Sequence, residues 1–530
     1  MPDAPLAAYL AASVFLLGWN VFLAGHIAQL RSAPRPFAAV TALAGLLLAP
    51  ALLIAGASAS ILNGRAIHTI AWVWPVAAAL FAVQAVYATV RGLVTPLLGV
   101  PIALYDAVLA LAALSAYLVD QGAEPPRAIL ALGAAHASAL GYALGPAALL
   151  SPWALQVPLL APAYPARWRI SKTVRATVAL LAAAWVTAAA SELPKGVMSI
   201  ASYAQFADVP LRERPAGDFA IALKIFPDLD AAPPPLALRN DLALVDSTGV
   251  DAVMVVVDGD DMTGADLDSL AHALEELRRD TLPLMVALDY ADDADGRHAA
   301  SPASYFALRL ARVEQVVRRL RPDYLFPAHE PYGRGAQALG SLPVDAWTRH
   351  LSEAARLAHR IRPRTRVGVL AAAYHARDSA LYRWAVGPRS PLDVAGFTIV
   401  PSFRGGRGVQ ARTQAADRWL RAAGPTRKEH WVVAAGYPSR HGEASQEQAL
   451  WGAAAWATAR PTVKGLVVVE AGNYDTGAGL RVPGGRMRLA VRAVSRAVRL
   501  LRESEAEATP APLADVPADT GATVPVIQDR

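Results

Sequence analysis

The sequence contains no cysteine, which excludes disulfide bonds and thiolate chemistry. It also lacks a glycine-rich phosphate loop after the first predicted strand, where Lys224-Ile225-Phe226-Pro227 stands, so a nucleotide-binding fold has no positive support. No His-x-His pair closes that strand. Metal-dependent hydrolysis needs clustered histidine and carboxylate ligands. His329, His375, Asp258 and Asp289 could converge in a barrel, but the missing His-x-His pair counts against such a site, and we expect no metal and no other cofactor.

Charge is scarce in the first two hundred residues. Up to Arg212 the chain has 11 Lys and Arg against 6 Asp and Glu, which leaves 39 and 38 for the rest. The net charge of +6 therefore belongs mostly to the first part. It bears on membrane topology and gives no support for a nucleic-acid partner.

Long apolar runs fill this charge-poor region. Each is about long enough to cross a bilayer, which takes ~20 helical residues, so we predict six transmembrane helices. The runs lie near 6–30, 37–62, 67–90, 95–119, 128–150 and 173–191. Five prolines between 146 and 165 interrupt the chain after the fifth run, which predicts a kinked helix followed by an interfacial loop.

The basic residues of the short loops predict the orientation. They cluster after the first and third runs and between the fifth and sixth, which the positive-inside rule places in the cytoplasm. These residues are Arg31, Arg35, Arg91, Arg167, Arg169, Lys172 and Arg175. We therefore expect a multi-pass protein of the cell (inner) membrane, with its second half on the periplasmic or extracellular side.

Asp106 lies midway along the fourth apolar run. An ionisable residue at this depth is a candidate functional residue. The favoured interpretation is structural, a hydrogen bond to another helix through His136 or Gln84, since no second acid or basic cluster accompanies it in the membrane part.

The second half alternates short apolar runs with amphipathic stretches. Eight strand–helix units over roughly 290 residues predict a (β/α)8 TIM barrel, whose usual size is ~250 residues, and an open doubly wound sheet is the alternative. The predicted strands are 219–226, 252–257, 284–288, 324–326, 366–370, 394–400, 430–434 and 465–469. The predicted domains are a polytopic membrane domain at 1–193, a linker at 194–214, the barrel at 215–505 and a disordered tail at 506–530.

In such a barrel the strand ends converge on one face, where barrel enzymes keep their chemistry. The residues at these ends are rich in carboxylates, which serve as general acids and bases, and in aromatic rings, on which sugars can lie. They are Asp258, Asp289, Tyr290, His329, Glu330, Tyr332, Tyr374, Phe403, Tyr437, Glu470, Asn473 and Tyr474. Individually, each aromatic could equally be packing, and Glu330 could cap a helix or pair with an arginine.

The stretch His329-Glu330-Pro331 closes the fourth predicted strand. It resembles the Asn-Glu-Pro motif of the clan A glycoside hydrolases, which are retaining (β/α)8 enzymes. The stretch Trp431 to Ser439, followed by Glu443-Ala444-Ser445 and Gln446-Glu447-Gln448-Ala449, resembles the seventh strand and loop of β-1,3-glucanase-like members. The resemblance covers about half of the chain and implies that Glu330 is the general acid/base.

Two positions depart from the family pattern. The family nucleophile aligns with Ala434, and His329 replaces the asparagine that would hold the sugar 2-hydroxyl. Retaining enzymes need a second carboxylate at ~5–5.5 Å and inverting enzymes one at ~6.5–9.5 Å. Glu470 is the first candidate, Asp289 or Asp258 could act as an inverting base, and the third possibility is a barrel that has lost hydrolysis and binds a glycan.

Three hypotheses on function follow. In the first, the protein is a membrane-anchored glycosidase acting on a cell-surface or exported polysaccharide, with Glu330 and Glu470 as its carboxylates. In the second, it is an inactive barrel that binds a glycan or scaffolds an envelope or export complex with other membrane subunits. In the third, the helices carry the main function, for example transport of a lipid-linked sugar.

Overall fold

The computed structural model contains a set of N-terminal helices followed by a closed eight-stranded parallel barrel. It describes residues 4–29, 33–58, 70–123, 125–144, 157–163, 172–203, 209–215, 217–225, 235–275, 282–291, 294–372, 374–400, 409–439, 442–472, 477–482 and 485–508. The predicted fold class, helical membrane-type segments before a TIM barrel, is confirmed. The predicted tail at 506–530 lies outside the described residues from 509 onward.

Each of the six apolar runs predicted in the N-terminal region contains a helix among its described residues. Its helices are α1 (Ala4–Gln29), α2 (Arg35–Ser58), α3 (Val73–Val90), α4 (Pro96–Asp120), α5 (Arg127–Leu144) and α6 (Lys172–Tyr203). Among the described residues, three segments are long and apolar enough to cross a membrane, namely Arg35–Ala55, Val73–Val90 and Pro96–Val119. Helix α6 continues past residue 193, through part of the stretch predicted as a linker.

An extended segment, 157–163, lies buried among these helices, and all seven of its residues are inaccessible to solvent. Backbone without regular structure at membrane depth is tolerated only where protein surrounds it and satisfies its polar groups. The prediction of an interfacial loop stays a prediction, and the burial of this segment among the helices was not expected. Pro158 and Pro162 have no N–H group, so they reduce the number of buried donors that need partners.

Polar side chains of three helices hydrogen-bond to this segment. Asn20 donates to the Pro158 carbonyl at 2.6 Å and accepts from the Leu160 amide at 2.9 Å. Gln84 similarly pairs with both backbone groups of Ala161, at 3.2 and 2.8 Å. These two side chains satisfy buried backbone groups that would otherwise lack partners.

Asp106 belongs to the same arrangement. Its Oδ1 accepts the Leu159 amide at 2.8 Å, so Asp106 makes a buried hydrogen bond, but to this segment rather than to another helix through His136 or Gln84. His136 instead accepts from Trp185 at 3.3 Å. The Oδ2 atom of Asp106 has no hydrogen-bond partner within the described ranges.

The barrel strands pair in sequence order, and β8 closes against β1. Their bounds are β1 (Ala220–Lys224), β2 (Ala252–Asp258), β3 (Leu284–Asp289), β4 (Tyr324–Phe326), β5 (Arg366–Ala371), β6 (Val394–Ile399), β7 (Glu429–Ala435) and β8 (Val463–Val468). Each lies within about two residues of its prediction, because each strand is a short buried apolar run between turn residues. The doubly wound alternative is excluded by the closed strand order.

Helices cover the outside of the barrel. They are α7 (Pro235–Thr248), α8 (Gly264–Ala273), α9 (Ala294–Ala300), α10 (Pro302–Arg319), α11 (Arg334–Leu339), α12 (Val344–Ile361), α13 (Ala376–Val386), α14 (Val409–Ala423), α15 (Glu443–Thr458) and α16 (Ala490–Ala508). The two shortest, α9 and α11, were not predicted. Helix α10 begins with Ser301 as N-cap and Pro302 at its first position, an arrangement that pre-sets the first turn.

Large side chains fill the barrel interior where neighbouring strands carry glycine. Trp431 on β7 packs over Gly465 on β8, where any Cβ would overlap the indole ring. Phe326 packs in the same way against Gly368, where a Cβ would come within 2.7 Å of the phenyl ring. Strand residues alternate between this interior and the helix-facing core, as the two-residue period requires.

Arg309 of α10 is fully buried and ties together the ends of three strands. Its Nη1 pairs with Asp260 just after β2 at 2.7 Å and donates to the Asp289 carbonyl of β3 at 2.9 Å. Its Nη2 donates to the carbonyls of Leu288 and Pro327, both at 3.2 Å. One guanidinium therefore satisfies carbonyls of β3 and of the segment after β4 together with a carboxylate that follows β2.

Replacing Arg309 with methionine is expected to lower the free energy of unfolding by ~3–5 kcal/mol, because Asp260 would remain buried without its counter-charge. Urea unfolding of the full chain in detergent micelles, followed by circular dichroism, measures the loss. The matched control is Arg318→Met on the same helix, where an exposed pair with Glu314 should contribute less than about 1 kcal/mol. A variant at Arg309 that unfolds with the native midpoint would contradict this role.

Candidate functional site

Charged residues stand at or just after the carboxyl ends of five barrel strands. The interior period-two positions place Lys224, Asp258 and Asp289 at the ends of β1, β2 and β3. Glu330 follows β4, and Glu470 follows β8. Four of these five residues were predicted. Lys224 was not, because the stretch from Lys224 to Pro227 was used only as evidence against a phosphate-binding loop.

Glu330 occupies an unusual backbone conformation at the end of β4. Its φ is +47°, in the left-handed region that residues other than glycine rarely adopt. The Glu330 carbonyl accepts the amides of Gly333 and Gly335 at 2.8 and 3.0 Å, which fixes a tight turn after Pro331. Strained conformations of this kind cluster at active sites and ligand clamps.

The Glu330 side chain folds back over Gly333. A Cβ atom at Gly333 would overlap the Oε2 atom of Glu330 and would lie 3.0 Å from its Cβ. The same hypothetical Cβ would lie 3.4 Å from Ala372, which follows β5. The missing side chain at Gly333 therefore creates the space in which the Glu330 carboxylate sits.

Asp289 is buried beside two basic side chains. Its Oδ2 forms an ion pair with Arg334 at the start of α11 and lies 3.2 Å from Nδ1 of His329. The Oδ1 atom of Asp289 has no hydrogen-bond partner among the residues that the structure describes. The carboxylate, the imidazole and the half-exposed guanidinium thus form one cluster next to Glu330.

Asp258 is held by the turn that follows β2. Its Oδ1 accepts the amides of Asp260 and Asp261 at 2.7 and 3.0 Å. Burial raises the pKa of Asp258 above its ordinary value, and the two amide hydrogen bonds partly oppose that shift. These contacts make Asp258 an organiser of the turn, and a role in substrate binding stays a prediction.

Glu470 is buried, with 1% of its surface exposed, where the chain leaves β8. Its carbonyl accepts the Leu480 amide at 3.2 Å, and the next residue, Ala471, donates its amide to the Lys224 carbonyl of β1 at 2.8 Å. Strand β8 lies between β7 and β1, so Glu470 follows a neighbour of β7, the strand on which Ala434 stands in place of the family nucleophile.

Ala434 lies at the carboxyl end of β7, paired with Thr398 of β6. It is partly accessible, whereas the following Ala435 is fully buried in the helix-facing core. The position that the resemblance aligns with a catalytic nucleophile is therefore the accessible one of the two. It carries only a methyl group.

The predicted aromatic residues are largely packed against protein. Tyr290 lies under the Arg309 guanidinium at 4.5 Å, Tyr332 donates to the Leu342 carbonyl at 3.1 Å, and Tyr437 is fully buried. Burial raises the pKa of the Tyr290 and Tyr332 hydroxyls. Their predicted contact with substrate stays a prediction.

Tyr374 also adopts a left-handed conformation, with φ +57°. Its hydroxyl donates to the Thr398 carbonyl at 2.6 Å, and its ring lies against Trp419 at 4.5 Å between centroids. Burial raises the pKa of its hydroxyl. Phe403, Asn473 and Tyr474, the other predicted substrate contacts, lie outside the described residues.

Within the described ranges, no group of three or more His, Asp or Glu side chains is arranged to hold a metal ion. His375 caps α13: its Nδ1 accepts the Asp378 amide at 3.2 Å.

No family model matches the chain, and no curated protein matches it. Among solved structures, a β-1,4-mannanase of glycoside hydrolase family 113 is 13% identical over 52% of this chain and 98% of its own, with a TM-score of 0.39. The exo-β-1,4-mannosidase Op5Man5 from the Opitutaceae bacterium strain TAV5 is 13% identical over 56% and 62%, with a TM-score of 0.42. An endoglucanase is 11% identical over 56% and 99%, with a TM-score of 0.40. Likenesses this distant carry no argument about activity.

Changing Gly333 to alanine is expected to displace the Glu330 carboxylate and to lower the stability of the protein by ~1–3 kcal/mol, as overpacking does. An experimental structure of the variant and its melting temperature measure the two effects. Gly296→Ala is the matched control, because a Cβ there meets nothing within 4 Å. A Gly333→Ala protein with native stability and an unmoved Glu330 would contradict the geometry.

Proposed function

We propose that the protein is a membrane-anchored glycoside hydrolase-like protein that acts on a cell-surface or exported polysaccharide, with Glu330 as general acid/base. The observation that carries the proposal is Glu330 itself. It is an ionisable side chain at the carboxyl end of β4, held in a strained conformation above a glycine that leaves room for it. Its position at the carboxyl face of a parallel barrel is that of catalytic groups in this architecture.

Glu470 is the proposed second carboxylate. In the closed strand order β8 stands four strands from β4, on the opposite side of the mouth. Carboxylates that follow strands on opposite sides of the barrel fit the wide spacing of inverting enzymes better than the close spacing of retaining ones, because an inverting enzyme needs room for a water molecule between base and sugar. Asp289, on β3 beside β4, is the alternative base, although it is paired with Arg334.

Turnover of glycans by the full chain tests the enzymatic proposal. Against a panel of β-glucans and bacterial exopolysaccharides, the native protein should release new reducing ends, and Glu330→Gln should reduce that rate at least a hundredfold, the range of general acid–base catalysis. Gln315→Glu, an isosteric exchange on α10, is the control. Binding without turnover, unaffected by Glu330→Gln, would sink the enzymatic proposal.

The second candidate is a barrel that binds a glycan without cleaving it, or scaffolds an envelope or export complex. Ala434 is the observation that favours it, since a retaining mechanism cannot run without a nucleophile at this position. Under this proposal the charged mouth serves only to recognise the sugar.

Restoring the carboxylate at this position separates the two candidates further. Ala434→Glu is expected to create or increase hydrolysis with retention of anomeric configuration, because β7 and β4 carry the carboxylate pair of the clan A pattern. Proton NMR of the first-formed product reports the configuration. Ala434→Gln has the same size without the charge and should remain at the native rate. If Ala434→Glu folds and neither gains turnover nor changes configuration, the resemblance at this strand is wrong.

The proposed location is the cell (inner) membrane, with all six helices spanning it and the barrel on the periplasmic or extracellular side. The charge-poor helices and the arrangement of loop arginines support this location. The lipid bilayer is then one partner, a polysaccharide another, and further membrane subunits are compatible with the helical region.

A further inference from the structure

Two loops of the barrel mouth contact the ends of membrane-type helices. Arg486, in the loop after β8, donates through Nη2 to the carbonyl of Val119 at 3.0 Å. Val119 is the last residue of the candidate span Pro96–Val119. Gly442, at the end of the loop after β7, lies against Leu130 in the first turns of α5. The loops after β7 and β8 therefore contact the end of α4 and the start of α5 directly.

Several residues besides Val119 hold Arg486 in this position. Gly122, just beyond α4, has a φ of +80°, and a Cβ there would come within 2.8 Å of the Arg486 guanidinium. The guanidinium also forms an ion pair with Glu443, the first residue of α15, whose side chain is 4% exposed. The Glu443 carboxylate in turn accepts the Leu489 amide at 3.1 Å. Arg486 thus joins the loop, α15 and the membrane helix.

Backbone hydrogen bonds connect this contact to the candidate site. The Leu480 amide donates to the Glu470 carbonyl at 3.2 Å, and the Arg488 amide donates to the Leu480 carbonyl at 2.9 Å. The Val482 amide donates to the Arg486 carbonyl at 2.9 Å. The loop between Glu470 and the helix end is therefore cross-linked along its described residues.

The chain that enters the barrel indicates which end is further from the membrane. After α6 it runs beside α15, where Trp451 donates to the Val209 carbonyl at 2.7 Å. It then reaches the far end of α15, where Arg214 donates to the carbonyls of Thr458 at 3.2 Å and Val463 at 3.0 Å. Helix α15 starts at the mouth and ends at the opposite face, so the chain from α6 runs away from the mouth. The mouth is therefore the end of the barrel nearer the membrane-type helices.

We propose that the barrel mouth opens at the membrane surface and that its substrate is a glycan attached to a lipid of the same bilayer. The substrate part rests on the proposed glycan-directed function. A mouth fixed against helix ends admits a sugar chain that rises from the lipid headgroups, since the loops that make the membrane contacts follow β7 and β8, the strands that end near Ala434 and Glu470.

Fluorescence quenching tests the geometry without any ligand. Because the native chain has no cysteine, single cysteines can be labelled specifically. The label at Met487→Cys, in the loop beside Arg486, should be quenched at least twice as strongly by headgroup nitroxide lipids in nanodiscs as a label at Arg364→Cys, before β5 on the opposite face. Equal quenching, or stronger quenching at Arg364, would overturn the placement of the mouth.

A paired substrate assay tests the lipid attachment. The probe is an oligosaccharide that the full chain binds or cleaves in the polysaccharide panel, either free or coupled to phosphatidylethanolamine in phosphatidylcholine vesicles. The reconstituted native protein should process or bind the coupled form at least tenfold better, and Arg486→Gln should reduce this ratio several-fold without changing the result for the free form.

The outcomes separate the two proposals. Equal use of both forms overturns lipid attachment and leaves the glycan-directed function standing. A preference that Arg486→Gln does not alter also overturns the proposal, because tethering both partners to one bilayer would then explain it. If no member of the panel is bound or cleaved, the proposed function fails and lipid attachment fails with it, while the quenching result still decides where the mouth lies.

Discussion

The buried guanidinium of Arg309 is the interaction on which the geometry of the mouth depends. Parallel strands end in carbonyl groups that have lost their sheet partners, and each needs a donor if it is not exposed to water. Arg309 donates to three carbonyls at the ends of β3 and β4, two of which also accept a backbone amide, and it neutralises Asp260 at once. The turn that carries Glu330 begins three residues beyond Pro327, so the contact with the Pro327 carbonyl helps to position it, together with the hydrogen bond from the His329 amide to the Leu288 carbonyl.

Among the membrane-type helices, uncharged side chains likewise supply hydrogen-bond partners to buried backbone groups. The amide side chains of Asn20 and Gln84 pair with backbone groups of the buried segment 157–163, each offering one donor and one acceptor. In both domains, irregular backbone is kept inside the protein by side chains that take the place of water. Arg486 joins the two domains in a third example, by donating to the last carbonyl of a helix span.

The strands and most of the helices could be predicted from the sequence because each is a local pattern with its own length and period. The positions of Asp258, Asp289 and Glu330 followed from those strand ends. The role of Arg309 could not be predicted, since a lone arginine within an apolar helical stripe is explained only by partners on three distant strands. The buried segment 157–163 was missed for the same reason: its prolines indicated a break, but not the side chains that enclose it.

The orientation of the aromatic residues beyond the strand ends could not be predicted from the sequence. Beyond a strand end the two-residue period no longer holds, so the sequence does not decide whether Tyr290 or Tyr437 faces the mouth or the core. The structure buries both, and the catalytic and binding roles of the predicted residues stay predictions.

Hydrogen–deuterium exchange of the full chain tests most directly whether Arg309 holds the mouth together. In Arg309→Met, the amides of residues 327–335 should exchange much faster than in the native protein, whereas those of 157–163 and of helix α4 should not change. Arg318→Met should match the native protein throughout. Unchanged protection of 327–335 in a folded Arg309→Met protein would contradict the account, because the turn that carries Glu330 would then be held by other contacts.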